Sequence, residues 1–179
     1  MELEHSAEDR RFADEVTAFL REAWTTPMRA GPADREAFVA AFRKAATEAG
    51  YLHRAFPSHY GGSQQPPDAL RAQIIREAFE RARAPMEVEG IGVAMVAPTL
   101  LERGAGWQKD LFIPKTLTGE IRWAQGYSEP NAGSDLASLR TRGELKDGQW
   151  VINGHKIWTT RAYDCTHMFA LVRDRKSVV

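Results

Sequence analysis

The chain has 179 residues, of which 43% are hydrophobic and 27% are charged, a composition typical of a globular protein with a packed core. Its 24 Lys and Arg residues balance its 24 Asp and Glu residues, which disfavours a protein that holds nucleic-acid phosphates through a basic surplus. The N-terminal residues are charged, no apolar run is long enough to span a membrane, and Cys165 is the only cysteine. We therefore expect a cytoplasmic protein without nucleic-acid partners, membrane spans or internal disulfides.

The first two thirds of the chain predict helices and one ordered loop. Apolar residues spaced by three and four indicate amphipathic helices, and a mostly apolar segment indicates a buried one. The predicted helices begin after Ser6, lie between Gly31-Pro32 and Gly50, and cover Leu70 to Ala82, Gly90 to Gly104 and Trp107 to Phe112. The start signal of the helix at Leu70 is Pro66-Pro67-Asp68. Residues 52–67, rich in Gly, Pro and polar side chains, predict the loop.

From Ile121 onwards, short runs rich in β-branched and aromatic residues predict about four strands separated by glycine turns, with Ile157-Trp158 among these runs. The clearest hairpin signal is Asp147-Gly148, and Asn153-Gly154 predicts another turn. The fold class expected is α+β, with an all-helical domain over residues 1–120 and an incomplete antiparallel β domain over residues 121–179. A sheet of so few strands would leave one face uncovered.

The densest group of candidate functional residues is the segment 123–135, WAQGYSEPNAGSD. It combines a strand end with a turn whose small side chains let a ligand approach the backbone, and its amides and hydroxyls can donate to a phosphate or to the polar edge of a ring. From spacing alone, an ordinary turn between two strands is the simpler explanation for this segment.

A second candidate is the segment 153–160, NGHKIWTT. An indole can cover one face of a flat cofactor while a threonine hydroxyl bonds its edge, although packing of Trp158 in the core is the simpler explanation for this segment alone. The five histidines show no spacing typical of metal ligands, so no metal site is expected.

Together these segments resemble the acyl-CoA dehydrogenase family. Residues 126–137, GYSEPNAGSDLA, are similar to the family's first flavin-binding motif, and residues 151–160, VINGHKIWTT, are similar to its second motif at the usual separation. The similarity extends upstream through Gly104 to Glu120, and it covers the chain to about Arg173. The residues after Val172 depart from the family's continuation, which favours a truncated form.

The resemblance implies a helical N-terminal domain, a middle β domain and a C-terminal four-helix domain, and this sequence stops inside the second. It implies FAD as the cofactor. The residues that would line FAD are Gln125, Gly126, Tyr127, Ser128, Gly133, Ser134, Trp158, Thr159 and Thr160.

Individual roles follow from the same resemblance. Ser128 would bond the pyrimidine side of the flavin, Gly133 and Ser134 would lie near the pyrophosphate, and Ser134 would also contact the acyl-CoA substrate. Trp158 would pack against the ring system and Thr160 would donate to flavin N5. Donors at these edges stabilise the negative charge that develops as the ring is reduced.

The implied reaction is the α,β-desaturation of an acyl-CoA thioester to a 2-enoyl-CoA, in an oligomer that passes electrons to an electron-transfer flavoprotein. The family carries its base, a glutamate, on the C-terminal domain, so we assign no catalytic residue here and expect the 179-residue chain alone to be inactive. The acidic residues Glu87, Glu89, Glu102 and Glu129 are interpreted as solvated or turn-supporting carboxylates.

Two alternatives share this fold. A non-catalytic subunit would complete its sheet against a full-length homologue and would co-purify with it. A flavin oxidase or monooxygenase would consume oxygen rapidly instead of reducing an electron-transfer protein. The acyl group could be straight, branched, aromatic or steroid.

Overall fold

The computed structural model describes residues 6–25 and 31–174, so the predicted divergent tail lies largely outside the described residues. The helices are α1 (Ala7–Ala23), α2 (Pro32–Glu48), α3 (Ala69–Ala82), α4 (Ala97–Arg103) and α5 (Gly106–Thr118). The strands are β1 (Trp123–Gly126), β2 (Arg142–Lys146), β3 (Gln149–Asn153) and β4 (His167–Ala170). The expected order, a helical region followed by a small β region, is confirmed.

Local capping signals begin the first and third helices where the sequence predicts. The Ser6 hydroxyl accepts from the Asp9 amide at 3.1 Å, while the Asp9 carboxylate accepts from the Ser6 amide at 3.0 Å, a reciprocal capping box. At the start of α3, the Asp68 carboxylate accepts from the Arg71 amide at 2.9 Å. These short-range bonds satisfy amides that a helix leaves free at its N-terminus.

Two apolar clusters form the core of the helical region. The larger lies among α1, α2 and α3 and is centred on Val16, Phe42 and Phe79, which are at most 3% exposed. The smaller joins Phe56 of the predicted loop to Ile113 of α5. The loop is ordered as expected, with a short 3-10 helix at Ser58–Tyr60, because its side chains take part in this packing.

Two predicted helices differ from those observed. The segment expected to be a single helix from Gly90 begins with π-helical backbone at Gly92–Val96 and becomes α4 only at Ala97. Helix α5 continues six residues past Phe112 with Pro114 inside it, although proline removes one amide donor. Burial of Ile113 and Leu117 against the smaller cluster outweighs that local cost.

The β region contains two pairs of strands. Strands β2 and β3 form the predicted antiparallel hairpin, whose turn residues Asp147 and Gly148 have φ angles of 50° and 78°, the positive values that this tight turn requires. Strands β1 and β4 instead pair in parallel, so the expectation of antiparallel pairing throughout is wrong. The connection between them contains the whole hairpin and is long enough to return the chain in the same direction.

Two predicted features of the second motif are also absent. Ile157-Trp158 lies in irregular backbone after β3, not in a strand, and the backbone forms no turn at Asn153-Gly154. Gly154 instead passes close to Thr141, since a Cβ at that position would lie 2.2 Å from Thr141 Oγ1. Within the residues that the structure describes, no helix is both long and apolar enough to cross a membrane.

Candidate functional site

Strand β1 and the turn after it position the first group of predicted residues. Gln125 and Gly126 end the strand, and the following turn is closed by Glu129 N–H to Ala132 O at 2.7 Å and Ala132 N–H to Glu129 O at 3.1 Å. A Cβ at Gly126 would lie 2.7 Å from Met168 Sδ on β4, so a side chain at this position would require Met168 to move. A Cβ at Gly133 would meet nothing within 4 Å, and both Gly133 and Ser134 are exposed. Two backbone hydrogen bonds therefore fix the turn, and Gly133 and Ser134, which follow it, are exposed to solvent.

The two predicted motifs are in direct contact. The Ile157 amide donates to Ser128 O at 2.9 Å, and Lys156 Nζ donates to Tyr127 O at 3.1 Å. Trp158 follows Ile157 immediately with a φ of 58°, and the Thr160 amide donates back to Trp158 O at 3.0 Å. Residues Trp158 to Thr160 therefore follow directly after Ile157, the residue whose amide binds Ser128 O.

Trp158 is not a core residue. Its side chain is 84% exposed, so the alternative of core packing is wrong. Among the described residues, the hydroxyls of Ser128, Ser134, Thr159 and Thr160 take part in no hydrogen bond, whereas the Tyr127 ring contacts Phe169 with centroids 5.9 Å apart. An exposed indole with free hydroxyls on the same two segments suits a flat ligand with polar edges.

The strongest polar contacts of the site centre on Glu129. Its carboxylate is buried and accepts from the Arg140 amide at 2.6 Å, the Thr141 amide at 2.9 Å and Lys156 Nζ at 2.9 Å. Desolvation works to raise the pKa of Glu129, but the Thr141 side chain and these three donors favour the charged form and lower the pKa to about 2. The carboxylate is therefore ionised at neutral pH.

Glu129 and Lys156 are the residues of the site that sequence analysis missed. Of the two roles expected for Glu129, a solvated carboxylate is wrong, because the residue is only 8% exposed, whereas a carboxylate that supports local backbone agrees with the amide bonds it accepts from Arg140 and Thr141. The two residues are 27 positions apart, so no short spacing in the sequence relates them. The one available signal was that each charged residue lies inside a motif otherwise rich in small and uncharged residues.

The π-helical segment lies beside the first motif. Gln125 Nε2 is 4.0 Å from Met95 Sδ, and the Trp123 indole donates to Thr116 Oγ1 of α5 at 2.9 Å. A Cβ at Gly92 would lie 2.7 Å from the Trp123 ring, so the glycine permits this close approach. These contacts hold the end of β1 against the helical region.

A separate groove of about 1250 Å³ lies between α2, the loop around Gly61 and the end of α5. None of the residues predicted to line FAD borders it. It contains the buried His53, whose Nδ1 has no hydrogen bond among the described residues. Desolvation lowers the pKa of this histidine although the Glu87 carboxylate opposes the effect.

Comparison with known proteins gives one consistent family. Residues 6–120 match the family "Acyl-CoA dehydrogenase, N-terminal domain", and residues 124–178 match "Acyl-CoA dehydrogenase, middle domain". The chain is 39% identical over 128 residues to "Acyl-CoA dehydrogenase IpdE1" of Mycobacterium tuberculosis, an alignment that covers 72% of this chain and 33% of the relative. The aligned region is thus about a third of that relative's length.

Solved structures give the same result. The fold resembles a chain of the "ChsE4-ChsE5 complex from Mycobacterium tuberculosis" with a TM-score of 0.64 and 28% identity, covering 98% of this chain and 44% of that one. It also resembles "Acyl-CoA Dehydrogenase complexed with FAD from Bacillus anthracis" with a TM-score of 0.53 and 25% identity, covering 96% of this chain and 30% of that one.

Proposed function

Because this chain belongs to the acyl-CoA dehydrogenase family, we propose that it forms the flavin-binding part of an FAD-dependent enzyme that desaturates an acyl-CoA thioester to a 2-enoyl-CoA. The observation that carries the proposal is the contact between Ile157 and Ser128, which joins the two predicted motifs beside an exposed indole. The matched relative is named as a dehydrogenase, which favours this reaction over the oxidase and monooxygenase alternatives.

The chain's own residues fit the cofactor. Trp158 offers an uncovered aromatic face, and the Ser128 and Thr160 hydroxyls are free to donate to a polar ring edge. At the turn, Gly133 leaves space for the pyrophosphate, and the exposed Ser134 hydroxyl serves both the cofactor and the acyl-CoA. Gln125, Gly126, Tyr127 and Thr159 complete the lining.

These residues orient the cofactor and place hydrogen-bond donors where negative charge develops. FAD held by these residues would supply the acceptor for the hydride that leaves the β carbon of the thioester. We assign no base among the described residues, and propose that a carboxylate outside them removes the α proton. The domain limits at 1–120 and 121–179 are part of the same proposal.

The proposal extends to partners. We propose a cytoplasmic oligomer, with an electron-transfer flavoprotein as the acceptor. Assembly with a second subunit is supported by the neighbouring structure of ChsE4 and ChsE5, which is titled as a complex.

Replacement of Thr160 tests the proposal. In a protein that joins these residues to the family's C-terminal helical domain, Thr160→Val should slow flavin reduction by an acyl-CoA about a hundredfold, since one donor to the developing charge is lost. The rate is measured from the fall in the flavin's visible absorbance under anaerobic conditions.

Thr118→Val, at an exposed threonine of α5 that lies outside both motifs, is the matched control and should leave the rate unchanged. An unchanged rate in Thr160→Val would show that its role is assigned wrongly. A wild-type protein that retains no FAD would contradict the proposed function itself.

A further inference from the structure

The Glu129 carboxylate connects three segments of the β region that are distant in sequence. It belongs to the first motif, it accepts from the amides of Arg140 and Thr141 at the entrance to β2, and it pairs with Lys156 of the second motif at 2.9 Å. Lys156 also donates to Tyr127 O at 3.1 Å. Each motif therefore contributes one charged group to a shared contact.

This ion pair is unusually buried for the molecule. The side chains of Lys156 and Glu129 are 10% and 7% exposed, whereas in seven other ion pairs between described residues both side chains are at least 37% exposed. Buried ion pairs seldom stabilise a fold more than well-packed apolar residues, because both charges lose hydration. Stability is therefore a weak explanation for charge at these positions, and fixing a specific arrangement is a stronger one.

The pair is adjacent to the contact that defines the site. Glu129 directly follows Ser128, and Lys156 directly precedes Ile157, so the ion pair flanks the bond between the Ile157 amide and Ser128 O. Two residues beyond Lys156 is Trp158, in irregular backbone with no strand partner to hold it. The hydrogen bond from the Ile157 amide to Ser128 O fixes this segment at one point only. The ion pair between Lys156 and Glu129 supplies a second attachment.

Gly154, two residues before Lys156, restricts the position of the second motif from its N-terminal side. A Cβ there would lie 2.2 Å from Thr141 Oγ1 and 2.6 Å from Thr141 Cα. The backbone thus passes directly over the residue whose amide holds Glu129. Thr141 therefore contacts both motifs: its amide donates to Glu129 of the first motif, and its side chain lies against Gly154 of the second.

We propose that the Glu129–Lys156 ion pair is a clamp that sets the spacing between the two flavin-binding motifs, which makes both side chains positioning residues for FAD although neither contacts it. The inference depends on the proposed function. The clamp acts through Ser128 on one side and through Trp158 and Thr160 on the other, because these residues move with the segments that the ion pair joins.

The test uses Lys156→Met and Glu129→Gln in the flavin-bound protein. Each should weaken FAD binding, measured by flavin fluorescence titration, by about tenfold or more, as expected when a hydrogen bond to the ligand is misplaced. Amide hydrogen exchange should accelerate at Ile157 while the amide of Phe79 in the helical core stays protected. Lys146→Met, which removes the exposed partner of Glu144 in the hairpin, is the matched control and should change neither measurement.

A double variant, E129Q/K156M, separates positioning from stability. It leaves no lone buried charge, so it should regain much of the melting temperature lost in the single variants. FAD affinity should nevertheless stay low because the spacing is no longer held. Recovery of both properties would overturn the proposal and leave the pair a purely stabilising role.

The remaining outcomes are distinguishable. Unchanged exchange at Ile157 in both single variants would overturn the clamp, as would faster exchange there with unchanged FAD affinity. A wild-type protein that does not bind FAD would overturn the proposed function and the positioning role with it. If the wild type and both single variants bind FAD with the same affinity, the clamp is overturned and the proposed function is not.

Discussion

In the helical region the buried side chains are almost all apolar, whereas the β region buries a carboxylate against a lysine ammonium and exposes much of its apolar surface. Phe79 in α3 is 0% exposed, while Leu145, Trp150 and Ile152 of the hairpin are 58–61% exposed. Apolar burial stabilises without specifying direction, but hydrogen bonds and ion pairs do specify it. The β region thus relies on directed polar contacts at the place where the motifs must meet.

The largest expected effect comes from the helical core. Phe79→Ala should destabilise the protein by about 3–5 kcal/mol, because the side chain is fully buried and its ring packs 5.9 Å from that of Phe42. Trp150→Ala, at an exposed position of β3, is the control from the β region and should cost about 1 kcal/mol or less. Urea unfolding followed by circular dichroism measures both. Equal losses would show that the two regions are stabilised in the same way.

A smaller effect is expected from crowding Thr141. Gly154→Ala should cost about 1–3 kcal/mol, since the new methyl group would overlap Thr141 and force the second motif away from β2. Gly133→Ala is the matched control and should be nearly neutral, because nothing lies within 4 Å of its added Cβ. Thermal unfolding compares the two variants. A neutral Gly154→Ala would argue against the tight passage over Thr141.

The smallest effect is a dependence on pH that belongs to the β region. The folded protein lowers the pKa of Glu129 from 4.5 to about 2, so its contribution to stability is complete above pH 4.5 and is lost as the pH falls towards 2. Hydrogen exchange at Ile157 should therefore accelerate over that range before the helical core opens. In Glu129→Gln the exchange rate at neutral pH should already be high, and this part of the acid response should be absent.

The sequence predicts correctly those elements that depend on local contacts. The Ser6 cap, the Asp68 cap and the Asp147-Gly148 turn lie where predicted, because each depends on contacts within three or four residues. The two motifs were recognised as a pair and do meet at Ser128. Roles of single residues towards FAD stay predictions, as no contact within the chain tests them.

The misses have a common physical cause. The parallel pairing of β1 with β4 joins Trp123 to His167, and the continuation of α5 past Pro114 depends on packing against Phe56. The Glu129–Lys156 pair spans 27 positions. In each case, the contact that decides the structure lies far along the chain from the residue that shows the local signal.

The amino-acid sequence by itself thus determined the helical and β regions, the hairpin and the family, because caps, apolar spacing, turn residues and motifs are local properties of the chain. Only the tertiary structure decided that β1 pairs in parallel with β4, that Trp158 is exposed and that Glu129 is buried. Burial depends on which distant segments come together, and a charged side chain carries no local mark that shows whether a partner will meet it.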